Sequence, residues 1–150
     1  MSSLDITHNF DPFSAGMAKA PAIIREEMLI STDRLTLQGV AFANPLTPVR
    51  TGHLRRNNAA KPAVWAGGAS GSYGNATPYA RPVEEGRRGF SAGPGRMLRF
   101  TVGGQVLYRK SVGPAAPRPF IRPSAARLRP LVPREYRAAM QRVMARIGGS

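Results

Sequence analysis

Glycine and proline punctuate this sequence so densely that they limit where regular structure can form. The 150 residues include 16 glycines and 14 prolines, and 42% of the residues are hydrophobic. A chain of this length normally forms one domain with one modest core. The high glycine and proline content therefore predicts a small core with long loops of defined conformation, and not a disordered chain.

Two segments have the apolar spacing of an amphipathic helix. The first runs from Pro21 to about Phe42 and must end before Pro45, because the residue ahead of a proline is disfavoured in the helical region. The second starts at Pro133, and proline suits a first helical turn. Before the first helix, residues 1–16 form a short, polar segment that is interrupted by Pro12 and Gly16, and we expect it to be an extended arm. The stripes comprise Ile24, Met28, Ser31, Leu35 and Phe42, then Tyr136, Met140, Val143 and Ile147.

The clearest local signal is a β-hairpin centred on Gly103-Gly104. Leu98, Phe100 and Val102 share one face of the run before the glycines, and Val106, Tyr108 and Val112 share a face of the run after them. Two glycines between alternating runs are typical of a two-residue hairpin turn.

The rest of the chain predicts short strands and irregular connections. We expect a strand around residues 63–66, a flexible Gly/Ser-rich loop over residues 67–76 and an extended connector over residues 113–123. The resulting fold class is α+β, with a small, mostly antiparallel β-sheet packed by an N-terminal and a C-terminal helix. Residues 17–150 form the single domain.

The charge is strongly positive. Lysine and arginine total 22 against 8 acidic residues, giving a net charge of +14, and only Lys19, Lys61 and Lys110 are lysines. Such a balance suits a polyanion, an acidic protein surface or a membrane face. Arginine forms bidentate contacts with phosphate and at interfaces, which would explain the preference for arginine over lysine. GC-rich codon usage, which favours arginine regardless of function, is an alternative of equal weight. We expect no membrane partner, since no stretch approaches the ~20 apolar residues that span a bilayer. We also expect no signal peptide, because the first residues have no cationic and apolar leader.

No constellation of catalytic or metal-binding residues emerges. His53 has no nearby acidic residue in the sequence to orient it as a general base. The acidic pairs Glu26-Glu27 and Glu84-Glu85 have no histidine at metal-ligand spacing, and the absence of cysteine excludes thiolate sites and disulfides. The run GGASGSYG lacks the features of a phosphate-binding loop. We therefore expect no enzyme activity, no metal and no cofactor.

Three stretches, in this order, resemble the pattern of the head–tail joining proteins of long-tailed phages, which are called neck, head–tail connector or tail-completion proteins. They are PVRTGHLRR at residues 48–56, YARPVEEG at residues 79–86 and RPFIRP at residues 118–123. The departures from the family pattern make the loops more basic or more polar: Arg50, Asn57-Asn58 and Arg87-Arg88. The likeness covers about residues 20–147.

The resemblance implies a structural virion protein of the neck. Copies would form a ring, hexameric or dodecameric, that joins the head-closure or connector proteins to the tail terminator or tail tube protein. Genomic DNA would pass through its lumen. The protein would be assembled in the host cytoplasm and reside in the virion at the head–tail interface. The residues marked for interaction are Arg50, Thr51, Gly52, Leu54, Arg55, Arg56, Tyr79, Glu84, Gly86, Arg118, Phe120 and Arg122.

Physical roles can be assigned to several of these residues. Thr51-Gly52 would form a tight turn from helix to sheet, with Leu54 as the first inward residue of a strand. Glu84 would pair with Arg55 or Arg122. Phe120 would enter a pocket as an anchor, leaving Arg118 and Arg122 for a neighbouring subunit. Two alternatives stay open: a tail-terminator ring that caps the tail tube, and a nonspecific basic nucleic-acid-binding protein.

Overall fold

The computed structural model describes residues 11–65 and 68–148. Helices and antiparallel strand pairs alternate along this part of the chain, and the α+β class is confirmed. The elements are α1 (Asp11–Ala43), α2 (His53–Arg56), β1 (Asn58–Trp65), β2 (Gly68–Asn75), α3 (Ala80–Glu85), β3 (Phe90–Ser91), β4 (Leu98–Val102), β5 (Gln105–Arg109), β6 (Ser111–Val112), α4 (Ile121–Leu128), a 3-10 turn (Arg129–Leu131) and α5 (Val132–Gly148).

Helix α1 is longer than the sequence predicted. It begins at Asp11 and places Pro21 in its interior, where a proline removes one backbone hydrogen bond. The expected extended arm is therefore wrong for residues 11–16, and residues 1–10 lie outside the described residues. Ala20 and Ile23, on either side of the proline, pack against α5. That packing holds the helix together through the proline position.

Gly71 in β2 allows the first strand pair to lie close to α1. Strands β1 and β2 pair antiparallel from Asn58 opposite Asn75 to Trp65 opposite Gly68. A Cβ atom at Gly71 would lie 2.4 Å from the Cγ2 atom of Thr36 in α1. The expectation of a flexible loop over residues 67–76 is therefore wrong for residues 68–75. Their small residues serve close packing between strand and helix.

The hairpin around Gly103-Gly104 is confirmed. Both glycines have positive φ, 59° and 82°, as a type I′ turn requires. Phe100 lies opposite Leu107, and Thr101 lies opposite Val106. Since opposite residues share a face, the Val106 face is the reverse of the Phe100 face. Both faces of the hairpin therefore carry apolar side chains, and every residue of β5 is exposed.

The remaining strands form a short antiparallel pair. Phe90 of β3 lies opposite Val112 of β6, and one further bridge joins Arg87 to Ala115. The alternation had predicted that Val112 belongs to the second run of the β4–β5 hairpin. That prediction is wrong, because Val112 lies in β6 and pairs with β3.

Two small apolar clusters form the core. One joins α1 to α5 through Ala20, Val143 and Ile147. The predicted stripes are only partly confirmed, because Ile24 and Met140 are exposed. The second cluster surrounds Phe120 and consists of Ala43, Leu54, Ala80 and Phe120.

None of the helices within the described ranges is long and apolar enough to cross a membrane.

Polar side chains complete the contact between α1 and α5. The buried carboxylate of Glu27 accepts hydrogen bonds from Arg142 Nε at 2.8 Å and Arg146 Nη1 at 3.0 Å. Ser31 donates to Glu135 at 3.1 Å and accepts from Arg142 at 2.9 Å. The hydrogen bond from Arg142 is the main reason that the pKa of Glu27 lies below its ordinary value, against the opposing effect of burial. These bonds keep a charged group stable in a largely apolar contact.

Candidate interaction surface

The segment between α1 and α2 forms a tight corner. At the end of α1, the Thr47 N–H and hydroxyl both donate to the Ala43 carbonyl, at 2.9 and 2.8 Å. The chain then reverses at Gly52, whose φ of 74° is in the left-handed region. The predicted turn at Thr51-Gly52 is thus present. The expected strand at Leu54 is wrong, because Leu54 lies in α2, but its side chain is inward and only 5% exposed.

Two asparagines tie this corner to the first strand pair. Asn58 donates to Asn44 Oδ1 at 3.0 Å and to Thr47 Oγ1 at 2.9 Å. Asn75 donates to the Leu54 carbonyl at 2.6 Å and to Asn58 Oδ1 at 2.7 Å. Sequence reasoning did not identify this network. The available signal was Asn58 itself, which the sequence analysis noted among the more polar departures in this stretch.

Glu84 caps the start of α4. Its Oε2 atom accepts the N–H groups of Phe120 at 2.7 Å and Ile121 at 2.9 Å, and its Oε1 atom accepts the Arg122 N–H at 2.9 Å. The predicted ion pair with Arg55 or Arg122 is wrong, since neither guanidinium lies within 4 Å of a carboxylate in the described residues. The expected extended connector is also wrong from Ile121 onward. The cap explains why a helix starts there.

The pKa of Glu84 results from opposing effects. Partial burial raises it, but the three backbone hydrogen bonds and the charge of Arg122 outweigh burial and hold the pKa below its ordinary value. The carboxylate is therefore ionised at neutral pH, when its charge complements the positive end of α4.

The three motif stretches meet at the second apolar cluster. Phe120 is fully buried against Leu54 of the first stretch and Ala80 of the second. Gly86 ends the second stretch with φ 75° and ψ 178°, and a Cβ atom there would lie 2.8 Å from the Ala115 carbonyl oxygen. Phe120 does enter a pocket, but the pocket belongs to its own chain. Leu54, Glu84, Gly86 and Phe120 therefore build the corner and offer little surface themselves.

A groove runs along the outside of this corner. A cavity of about 850 Å³ lies between residues 48–54, Tyr79, Val83, the hairpin tip at residues 101–103 and Arg118. A second cavity of about 450 Å³ adjoins it and reaches Arg87 and residues 115–116. The two share Pro48, Tyr79, Val83 and Arg118, so they form one continuous groove.

Only some of the residues that the sequence analysis assigned to interaction line the groove. Arg50, Thr51 and Gly52 line it together with Tyr79 and Arg118. The exposed residues Arg55 and Arg56 lie on α2 and do not line it. Arg122 lies at a separate shallow cavity with Glu84, Glu85 and Pro119. Sequence reasoning missed Val102, whose hairpin position gave no indication that it would reach the corner.

Within the part of the chain that the structure describes, no carboxylate balances the arginines of the groove. Among the described side chains, ion pairs involve only Arg34, Arg81, Arg142 and Arg146. Arg50, Arg87 and Arg118 therefore have no carboxylate of a described side chain within 4 Å. The Cζ atom of Arg87 lies 5.5 Å from the centre of the Phe90 ring.

His53 also lines the groove, with its ring centre 6.2 Å from that of Tyr79. Its ring nitrogens have one hydrogen-bond neighbour in the described residues, the Asn57 amide at 3.4 to 3.5 Å. No cluster of three or more histidine or acidic residues that could hold a metal is found in the described residues. The arrangement offers binding surface, and the absence of enzyme activity stays a prediction.

Comparison of the chain with protein-family models, curated proteins and solved structures finds no match.

Proposed function

We propose that this chain is a structural virion protein of a phage neck, which forms a ring between the head-closure or connector complex and the tail. The observation that carries the proposal is the convergence of the three motif stretches. Residues 48–56, 79–86 and 118–123 are far apart in sequence, yet Leu54, Ala80 and Phe120 pack together. The features behind the resemblance thus belong to one rigid corner, which is what a shared structural role requires.

The hairpin supports a role in assembly. Val102 is 46% exposed on one face and Tyr108 is 56% exposed on the other. An isolated two-stranded hairpin is at best marginally stable in water, so a partner covering either face stabilises it. A head-to-tail ring needs two different surfaces on each copy, and a projecting hairpin supplies one of them.

The charge makes the proposal testable through salt. Copies that each carry +14 repel one another, so screening by salt favours a ring. We expect light scattering to report a discrete closed oligomer whose population rises with salt. The hairpin variant Tyr108→Ser should shift the oligomer towards monomer, whereas Leu37→Ser on the exposed side of α1 should not. A chain that stays monomeric at every salt concentration, alone and with neck or tail proteins, would refute the proposal.

A second candidate is nonspecific nucleic-acid binding, favoured by the arginines that lack internal partners. Binding to DNA releases counterions, and its affinity falls steeply as salt rises. The salt dependence therefore has the opposite sign to that of ring formation. Titrating labelled duplex DNA into the chain at low and high salt separates the two functions. Tight, salt-sensitive DNA binding by a monomer that never oligomerises would favour the second candidate.

A further inference from the structure

We infer that the groove binds an extended, acidic protein segment with aliphatic side chains, contributed by a different protein. The inference rests on the proposed function only for the source of the segment, a neighbouring virion protein. It concerns the surface between the corner, Tyr79 and the hairpin tip.

The walls of the groove are suited to aliphatic side chains. Val49 at the corner is 62% exposed and Tyr79 is 44% exposed, and Val102 of the hairpin tip faces the same cavity. Pro82 and Val83 continue this apolar lining into the second cavity. Large apolar side chains that gather at one concave site mark a binding surface.

The charges in the groove are suited to carboxylates. Arg50, Arg87 and Arg118 are distributed along its length, and none has a carboxylate within 4 Å among the described side chains. Guanidinium groups form strong, geometrically specific pairs with carboxylates. A partner with acidic residues between its apolar ones satisfies both properties of the groove.

A second copy of this chain does not offer such a segment within the described residues. Glu26, Glu27 and Glu135 bind arginines between α1 and α5, Glu84 caps α4, and Glu85 pairs with Arg81. Five of the six carboxylates with described side chains are thus already engaged. Only Asp33 remains.

Duplex DNA fits the groove poorly. Its phosphates are contacted by projecting cations, whereas the apolar lining lies in a cavity that a duplex about 20 Å wide does not enter. Single-stranded bases bind by stacking on several aromatic rings. Among its described lining residues the groove has two rings, Tyr79 and His53, and their centres lie 6.2 Å apart at a tilt of 33°, so they do not form a series of stacking positions along a strand.

The test uses labelled synthetic peptides in fluorescence anisotropy. The probe alternates aspartate with leucine or valine over ten positions, and two control peptides replace the aliphatic residues with serine or the aspartates with lysine. We expect the full chain to bind the probe at least about tenfold more tightly than either control. Equal binding of the probe and the serine peptide would mean nonspecific charge attraction and would overturn the inference.

Variants then locate the site. Arg118→Glu and Val49→Asp should each weaken binding of the probe by about tenfold or more. Arg55→Glu, on exposed α2 outside the groove, is the matched charge control and should leave binding within about twofold. An equal effect of Arg55→Glu and Arg118→Glu would contradict the assigned site. So would complete displacement of the peptide by duplex DNA, which would assign the surface to nucleic acid. Circular dichroism checks that each variant is folded.

Failure here is distinguishable from failure of the proposed function. A chain that forms a closed ring but does not discriminate between the peptides keeps the neck role and refutes the groove. A chain that binds the probe in the groove but never oligomerises keeps the groove and refutes the ring.

Discussion

Replacing Glu84 with glutamine tests the central structural reasoning, because this one carboxylate joins two of the three motif stretches. A glutamine side chain has the same shape but only one oxygen. That oxygen can accept the N–H groups of Phe120 and Ile121, as Oε2 does now, while the amide nitrogen would then face the N–H of Arg122. One hydrogen bond is lost, and so is the negative charge at the start of α4.

The expected loss follows from these two changes. A backbone hydrogen bond contributes about 1 kcal/mol net. The negative charge at a helix N-terminus contributes about 0.5 kcal/mol more at a partly exposed site. We therefore expect Glu84→Gln to lower the free energy of unfolding by about 1.5 kcal/mol at pH 7.

The pH dependence gives an independent check. Because the pKa of Glu84 is lowered in the folded chain, its ionised form stabilises the fold above the unfolded pKa of about 4.3. This contribution is lost as the pH falls through the folded pKa. Urea unfolding should therefore show the difference between wild type and Glu84→Gln narrowing on acidification. The lowered pKa of Glu27 affects both proteins and cancels in the difference.

The neighbouring residue supplies the control. Glu85 lies in the same helix but is exposed and pairs with Arg81 four residues away, at 2.9 Å. Glu85→Gln should change the free energy of unfolding far less than Glu84→Gln does. If the two variants are equally stable, or if the Glu84→Gln difference does not change with pH, the assignment of Glu84 as a cap is wrong.

Three further variants, the first with Gly95→Ala as its control, test other parts of the fold by urea unfolding. Gly86→Ala should lower the free energy of unfolding by about 3 kcal/mol, because a positive φ is combined with a clash against the Ala115 carbonyl. Gly95→Ala, with φ 70° and open space around it, should lower it by only about 1 kcal/mol. Equal losses would contradict the packing at Gly86. Phe120→Ala should cost about 4 kcal/mol, since it empties a fully buried site, and a loss below about 1 kcal/mol would show that this cluster is not a core. Arg142→Leu should destabilise the chain at neutral pH, with a smaller loss at acidic pH where Glu27 is protonated; a loss that does not depend on pH would contradict the ion pair.

The sequence predicted elements whose signals are local. The Gly103-Gly104 turn and the helix that starts near Pro133 are set by neighbouring residues, and the structure contains both. Leu54 is inward as predicted, but it lies in a helix and is buried by distant residues, among them Phe120. Alternation along one strand also placed Phe100 and Val102 on a single face. It could not give the relation between the two strands, because the register decides which faces coincide.

The errors arose where a distant contact decides the local structure. The Gly/Ser-rich run of β2 indicated flexibility when read alone, but at Gly71 α1 lies so close that a side chain would not fit. Helix α4 starts where it does because the carboxylate of Glu84 accepts hydrogen bonds from the first backbone N–H groups. The first of these belongs to Phe120, 36 residues later in the sequence. Pro21 predicted a helix start, yet α1 continues through it because α5 packs on both sides of that position. The groove was unpredictable for the same reason, since Val102 and Arg118 meet only in the folded chain.

The groove and the hairpin point to the same conclusion about assembly. Carboxylates in the described part of the chain are used to hold helices and the corner, whereas Arg50 and Arg118 make no ion pair in it. Removing either arginine should therefore leave the stability of the isolated chain nearly unchanged. The exposed Val102 likewise contributes little burial to its own fold. These cationic and apolar residues line one groove, so a single partner can satisfy both. Since we expect the chain to fold without them, we assign these residues to binding.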